Sequence, residues 1–100
     1  MLPPTSLKLL DPNAVPYFLW DDHTTVAEAK AILAGSDARA RDELVARILR
    51  EANTRDVWLF VDWKMIDEAW PRIEQRLGRA RGMWTLVRTR HLENERASAA

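Results

Sequence analysis

A sheet needs two strands, and this chain offers one run that reads as a strand. Val57-Trp58-Leu59-Phe60-Val61 is apolar throughout, which suits a buried strand and a buried helix equally well. No second run of that kind exists to pair with it, so the spacing of apolar residues elsewhere decides the fold class. Between residues 37 and 52 they fall at Ala40, Leu44, Val45, Ile48, Leu49 and Ala52, four apart in two adjacent rows. That is the period of an amphipathic helix. The chain is therefore expected to be all-α, a single small domain of five to six short helices, with residues 55–61 as a short buried helix.

Local signals give the boundaries. Pro3, Pro4, Pro12 and Pro16 predict an irregular N-terminal arm over residues 1–16, because proline removes a donor and clashes with the preceding turn. The cluster Val15, Tyr17, Phe18, Leu19 and Trp20, followed by Asp21 and Asp22, is too short for a helix and should dock as an anchor. A helical domain is expected over 17–95. Its first helix starts from a Thr25–Glu28 capping box, buries Val26, Ala29, Ile32 and Leu33, and stops at Gly35 in a left-handed conformation. Ser36 or Asp37 caps the second helix, whose outer face holds Arg39, Asp42, Glu43, Arg47, Arg50 and Glu51, with Glu43 and Arg47 forming an i,i+4 pair. Asp62 caps a helix over 63–70 with Met65, Ile66, Ala69 and Trp70 inward. Pro71 is expected to open another helix, since the first helical position tolerates proline. Ile73 and Leu77 face inward before Gly78. The last helix, about 80–95, should turn Met83, Trp84, Leu86, Val87, His91 and Leu92 to one side, and residues 96–100 should fray.

The residue inventory argues against catalysis. Without cysteine there is no disulfide scaffold, thiolate metal site or cysteine nucleophile. Three glycines leave little material for a phosphate-cradling loop. His23 and His91 sit in no metal-binding spacing. Asp21, Asp22 and His23 are close enough to hold a cation, but Asp at such a position more often caps a turn. Asp42–Glu43 and Asp67–Glu68 are adjacent, so their carboxylates diverge on a helix. Ser6, Ser36 and Ser98 lie in no nucleophile elbow. The expectation is a non-enzymatic protein with no catalytic residues, metal or cofactor. No apolar run approaches the ~20 residues of a membrane span, and the N-terminus lacks a secretory pattern, so a cytoplasmic protein without membrane contact is expected. Twelve arginines against three lysines, with fourteen alanines, read as the coding bias of a GC-rich bacterium.

What remains is binding. The formal net charge is zero, yet residues 1–70 carry 8 basic and 12 acidic groups, a net −4, and residues 71–100 carry 7 and 3, a net +4. Either basic and acidic segments pack on each other, or the asymmetry marks partner surfaces. Four of the five tryptophans lie between Trp58 and Trp84. Two or three should fill the core, and at least one, Trp63 or Trp20, should stand exposed as an interface anchor. The candidate partner-binding residues are Trp20, Asp21, Trp63, Arg76, Arg79, Arg81 and Arg88. Residues 54–70 also outline a helix-turn-helix, but its reading helix would present Lys64, Asp67 and Glu68, a poor face for phosphate. A structural homodimer is a further alternative.

Tyr17-Phe18-Leu19-Trp20-Asp21 resembles the aromatic-Trp-Asp signature that opens a family of small uncharacterised bacterial helical proteins. The helix Leu44-Val45-Ala46-Arg47-Ile48-Leu49-Arg50-Glu51-Ala52 follows, then Asp56-Val57-Trp58-Leu59-Phe60-Val61, then Trp70-Pro71-Arg72-Ile73, and a last helix bearing Trp84. The resemblance spans residues 17–87. Such proteins are encoded beside nucleotidyltransferase-like toxins of the abortive-infection class. The resemblance implies an antitoxin-like role with that kind of protein partner, DNA binding being compatible with it, and it carries over no catalytic residue.

Overall fold

Helix starts in this molecule are set within four residues. The computed structural model describes residues 7–99. The Thr25 hydroxyl accepts from the Glu28 N–H, and the Glu28 carboxylate accepts from the Thr25 N–H, both at 3.1 Å. This capping box opens α1, Val26–Ala34. Asp37 caps α2, Ala38–Glu51, by accepting from the Ala40 N–H at 3.1 Å. Asp62 caps α4, Trp63–Ile73, by accepting from the Met65 N–H at 2.8 Å. Between them lies α3, Thr54–Val57, and the chain closes on α5, Arg81–Ala99. Short 3-10 turns occupy Leu7–Leu10, Tyr17–Leu19, Glu74–Arg76 and Gly78–Ala80. No strand occurs among the described residues, and none of their helices is long and apolar enough to cross a membrane.

α2 is the central element and packs against both α1 and α4. Its Leu44, Val45, Ile48 and Leu49 meet Val26, Ala29 and Leu33 of α1 and Ile66, Ala69, Trp70 and Ile73 of α4 in one core. The N-terminal anchor closes that core with Leu9, Phe18 and Leu19. Phe18 meets Phe60 edge to face at 5.3 Å. The C-terminus of α2 is completed by two distant aromatic side chains. The Asn53 N–H would donate to the Leu49 carbonyl if the helix continued. It donates instead to the Tyr17 hydroxyl at 2.7 Å, and the Leu49 carbonyl accepts from the Trp84 indole N–H at 2.8 Å.

Several local expectations give way to packing. Gly35 is extended, with φ −80° and ψ 175°, not left-handed. A Cβ there would lie 3.1 Å from the Ala31 carbonyl oxygen, so close approach explains the glycine. The left-handed positions are His23, with φ 57°, and Gly78, with φ 53°. Gly78→Ala should cost about 1–2 kcal/mol, the strain of placing an L side chain in that region, read as a lower thermal midpoint. Pro71 does not open a helix; it is the ninth of the eleven residues of α4. A proline there loses the bond to the Asp67 carbonyl and crowds that carbonyl, and buried Trp70 and Ile73 hold the last turn in place. Residues 58–61 turn instead of continuing α3, because Asp62 must be extended to cap α4. Val57, Phe60 and Val61 are buried nonetheless.

The charged faces are corrected too. Asp42, expected in solvent, is 7% exposed. Packing of α4 on α2 brings Arg72 to it, with Nε and Nη2 donating at 2.6 and 3.3 Å. Arg72 also donates to Glu68 at 2.8 Å. The i,i+4 pairs on α2 are Arg39–Glu43 and Arg47–Glu51, not Glu43–Arg47. On α5, Met83 and Leu86 are exposed, not inward, because only the side bearing Trp84, Val87, Arg88 and His91 faces the body. α5 runs on to Ala99, through most of the tail expected to fray. Residues 1–6 of the arm and residue 100 lie outside the described residues.

Candidate partner-binding surface

The segment 16–22 is held from several directions, and Trp20 is left outside. Phe18 and Leu19 are buried, as is Pro16, whose carbonyl accepts from the Leu19 N–H at 2.9 Å. The Tyr17 hydroxyl donates to Asp56 Oδ2 at 2.6 Å while it accepts from the Asn53 N–H. Burial and the Asp56 carboxylate together push the Tyr17 hydroxyl up to about 12, with the Asn53 hydrogen bond opposing. Arg47 of α2 donates through Nε to the Phe18 carbonyl at 2.9 Å. Its guanidinium also reaches Asp21, Glu51 at 2.8 Å and Asp22 at 3.7 Å. The hydrogen bond to Asp21 is the main reason the Arg47 guanidinium sits above its ordinary value, against partial desolvation. Hydrogen bonds from Thr24, helped by Arg47, hold Asp22 below the usual carboxylate range.

Trp20 stands 71% exposed on this platform. Following it in the chain, Asp21 and Asp22 join Glu51 on the Arg47 guanidinium, a cluster of three carboxylates and one guanidinium with a net charge of −2. The platform is rigid and its projecting group is large, flat and amphipathic. Such side chains dominate binding energy when they fill a partner's pocket.

The other expected contacts are placed differently. Trp63 is half-buried, stacked on His91 at 4.2 Å with 8° between the planes. It also meets Trp58 at 5.2 Å and Trp84 at 6.3 Å, so it belongs to an internal aromatic cluster and is not a free anchor. Arg88 is likewise engaged: Nε donates to Asp67 at 2.8 Å, and the guanidinium lies 5.1 Å from the centre of the Trp70 ring. Arg81 reaches Glu74 at 3.7 Å. Arg76 and Arg79 are exposed. Arg72 and Arg88 are thus absorbed by Asp42, Glu68 and Asp67, and packing of basic on acidic segments accounts for part of the charge asymmetry. Trp58, assigned by its run to the interior, is 42% exposed. It lies in the turn after α3, and an apolar run read as one buried helix gives no sign of that turn.

A groove of about 480 Å³ runs between the end of α1, α2 and the start of α4. Leu33, Val45, Met65 and Ala69 form its apolar part, and Arg41, Asp42, Asp62, Lys64 and Glu68 its rim. Its charges are mixed, and Asp42, Glu68 and Asp62 are already committed to Arg72 and to the α4 cap. No group of three metal-ligating side chains occurs among the described residues. No protein-family model, curated protein or solved structure matches this chain.

Proposed function

We propose that this chain is a non-enzymatic protein-binding module whose central contact is Trp20. The observation that carries the reading is a tryptophan 71% exposed on a turn whose Phe18 carbonyl is held by Arg47 and whose Tyr17 side chain is tied to Asn53. Ordering a side chain on binding costs free energy, and a preorganised turn has met much of that cost before the partner arrives. The net acidic cluster of Asp21, Asp22, Glu51 and Arg47 that follows Trp20 fits a partner with an apolar pocket and a cationic rim. An enzyme that handles nucleotides has such a cationic cleft. The resemblance of residues 17–87 names a partner of that kind, a nucleotidyltransferase-type toxin, which the module would neutralise by occluding the cleft.

The test is co-purification with the product of the neighbouring gene. The intact chain should retain it, and Trp20→Ala should weaken retention by about 2 kcal/mol or more, the range of an interface hot spot. The variant should melt where the parent does, since the indole is outside the core. Unchanged retention by the variant would remove Trp20 from the interface, and no retention by the parent would remove that partner.

A helix-turn-helix regulator is the alternative. It draws on residues 75–92, which hold five arginines and no carboxylate. Against it, α3 is a single turn, and Asp67 and Glu68 on the would-be reading helix are tied to Arg88 and Arg72. A gel shift at two salt concentrations separates the readings, because phosphate contacts lose affinity steeply with salt.

A further inference from the structure

α5 runs on past the residues that pack it on the body. It spans 19 residues, about 28 Å at 1.5 Å per residue. Its contacts with the core run from Trp84 to His91 and Leu92, and residues 93–99 are exposed. Two helical turns without tertiary packing are marginal in water, so this end is a candidate for a covering partner.

The exposed side of α5 has a defined composition. Met83, Leu86, Arg90, Glu93 and Ala97 are all exposed and follow one another at steps of three and four. That spacing forms a single seam of the kind two helices bury together. Leu86 is 54% exposed. Gly82, Thr85 and Thr89 lie on the polar side of the same helix, and the Thr89 hydroxyl donates back to the Thr85 carbonyl at 2.8 Å. Arg90 and Glu93 are charged residues in the middle of the seam, and they form no salt bridge among the described residues, with each other or with anything else.

We propose that the seam is covered by the same seam of a second copy of this chain, with the two α5 helices antiparallel. In the register that sets Leu86 against Ala97 of the other copy, Arg90 faces Glu93 of the other copy, and the two-fold axis repeats each contact. A two-fold contact of this kind is self-complementary. The parallel arrangement sets arginine against arginine and glutamate against glutamate, so charge selects the antiparallel one. A charged pair in an otherwise apolar seam commonly fixes orientation and register at some cost in stability. The contact is one helix wide, well under a standard interface, so the dimer is weak and reversible. It uses a different face from Trp20 and does not depend on the proposed partner.

Sedimentation equilibrium over a range of concentrations tests this, with circular dichroism to establish that each variant is folded. The intact chain should associate reversibly to a dimer. Arg90→Glu and Glu93→Arg, each exposed, should separately weaken the dimer about tenfold or more, and the double exchange should restore it. Because the chain has no cysteine, introduced thiols report the register. Leu86→Cys with Ala97→Cys should cross-link between copies, and Leu86→Cys alone should not. A strict monomer at ~1 mM, single exchanges without effect, a double exchange that fails to rescue, or cross-linking through Leu86→Cys alone would each overturn the proposal.

Discussion

Replacing Trp84 with alanine should remove about 3–5 kcal/mol of folding stability, the range for deleting a fully buried tryptophan. The side chain is fully buried and lies edge-on to Trp58 at 5.9 Å and to Trp63 at 6.3 Å. Its loss opens a cavity under the first turns of α5. It also strips the Leu49 carbonyl of its donor at the end of α2. A domain of this size is stable by about 5–15 kcal/mol, so the variant should be largely unfolded at 37 °C if the parent lies at the lower end. Trp84→Phe divides the effect. The ring area mostly stays, and the cost falls to about 1–3 kcal/mol for one buried carbonyl left without a partner. Denaturant titration of the three proteins measures both. Equal midpoints for the phenylalanine variant and the parent would mean that the indole N–H contributes nothing.

Tyr17→Phe should have the second largest effect, out of proportion to one oxygen atom. Asp56 is buried, and its Oδ1 has no hydrogen-bond partner among the described residues. The Tyr17 hydroxyl donates to Oδ2 at 2.6 Å. Removing it leaves the carboxylate without that donor and the Asn53 N–H without its acceptor. The cost should be about 1–3 kcal/mol or more, since the orphaned group is charged. The same bond gives an alkaline signature. Tyr17 titrates near 12 in the folded chain, against 10 ordinarily. Below pH 10 the hydroxyl is protonated in folded and unfolded chains alike, and its stabilisation is fully present. Between pH 10 and 12 only the unfolded chain loses the proton, so stability falls as pH rises. Tyr17 is the single tyrosine, so its ultraviolet titration should show a midpoint near 12 in buffer and near 10 in denaturant. The phenylalanine variant should lose less stability than the parent over that interval.

These expectations show which parts of the molecule were legible in its residues. The caps Thr25, Asp37 and Asp62 each act on an N–H three residues away, and the positions of α1, α2 and α4 follow from them. The core face of α2 was legible from its period. The surplus of tryptophans pointed to an exposed one at Trp63 or Trp20, and packing leaves Trp20 as the exposed one of the two. Pro71 was misplaced because its rule describes an isolated helix start, whereas burial of Trp70 and Ile73 overrides it. Trp63 and Arg88 were misplaced because a stacking histidine 28 positions away and a carboxylate 21 positions away leave no local trace.

By itself the sequence determined the helical class, the starts of α1, α2 and α4 and the stripe of α2, because caps and apolar periods act over a few neighbouring residues. Of the cluster Val15 and Tyr17 to Trp20 expected to dock as an anchor, only Phe18 and Leu19 are buried, while Val15 and Trp20 stay exposed. Tertiary structure alone decided which charges are spent inside the chain and which face outward. Asp42, Asp67, Arg72 and Arg88 neutralise one another because α2, α4 and α5 meet, a matter of long-range packing. The same packing turned Met83 and Leu86 away from the body and left Arg90 and Glu93 without a salt bridge among the described residues, on a helix that outruns its support.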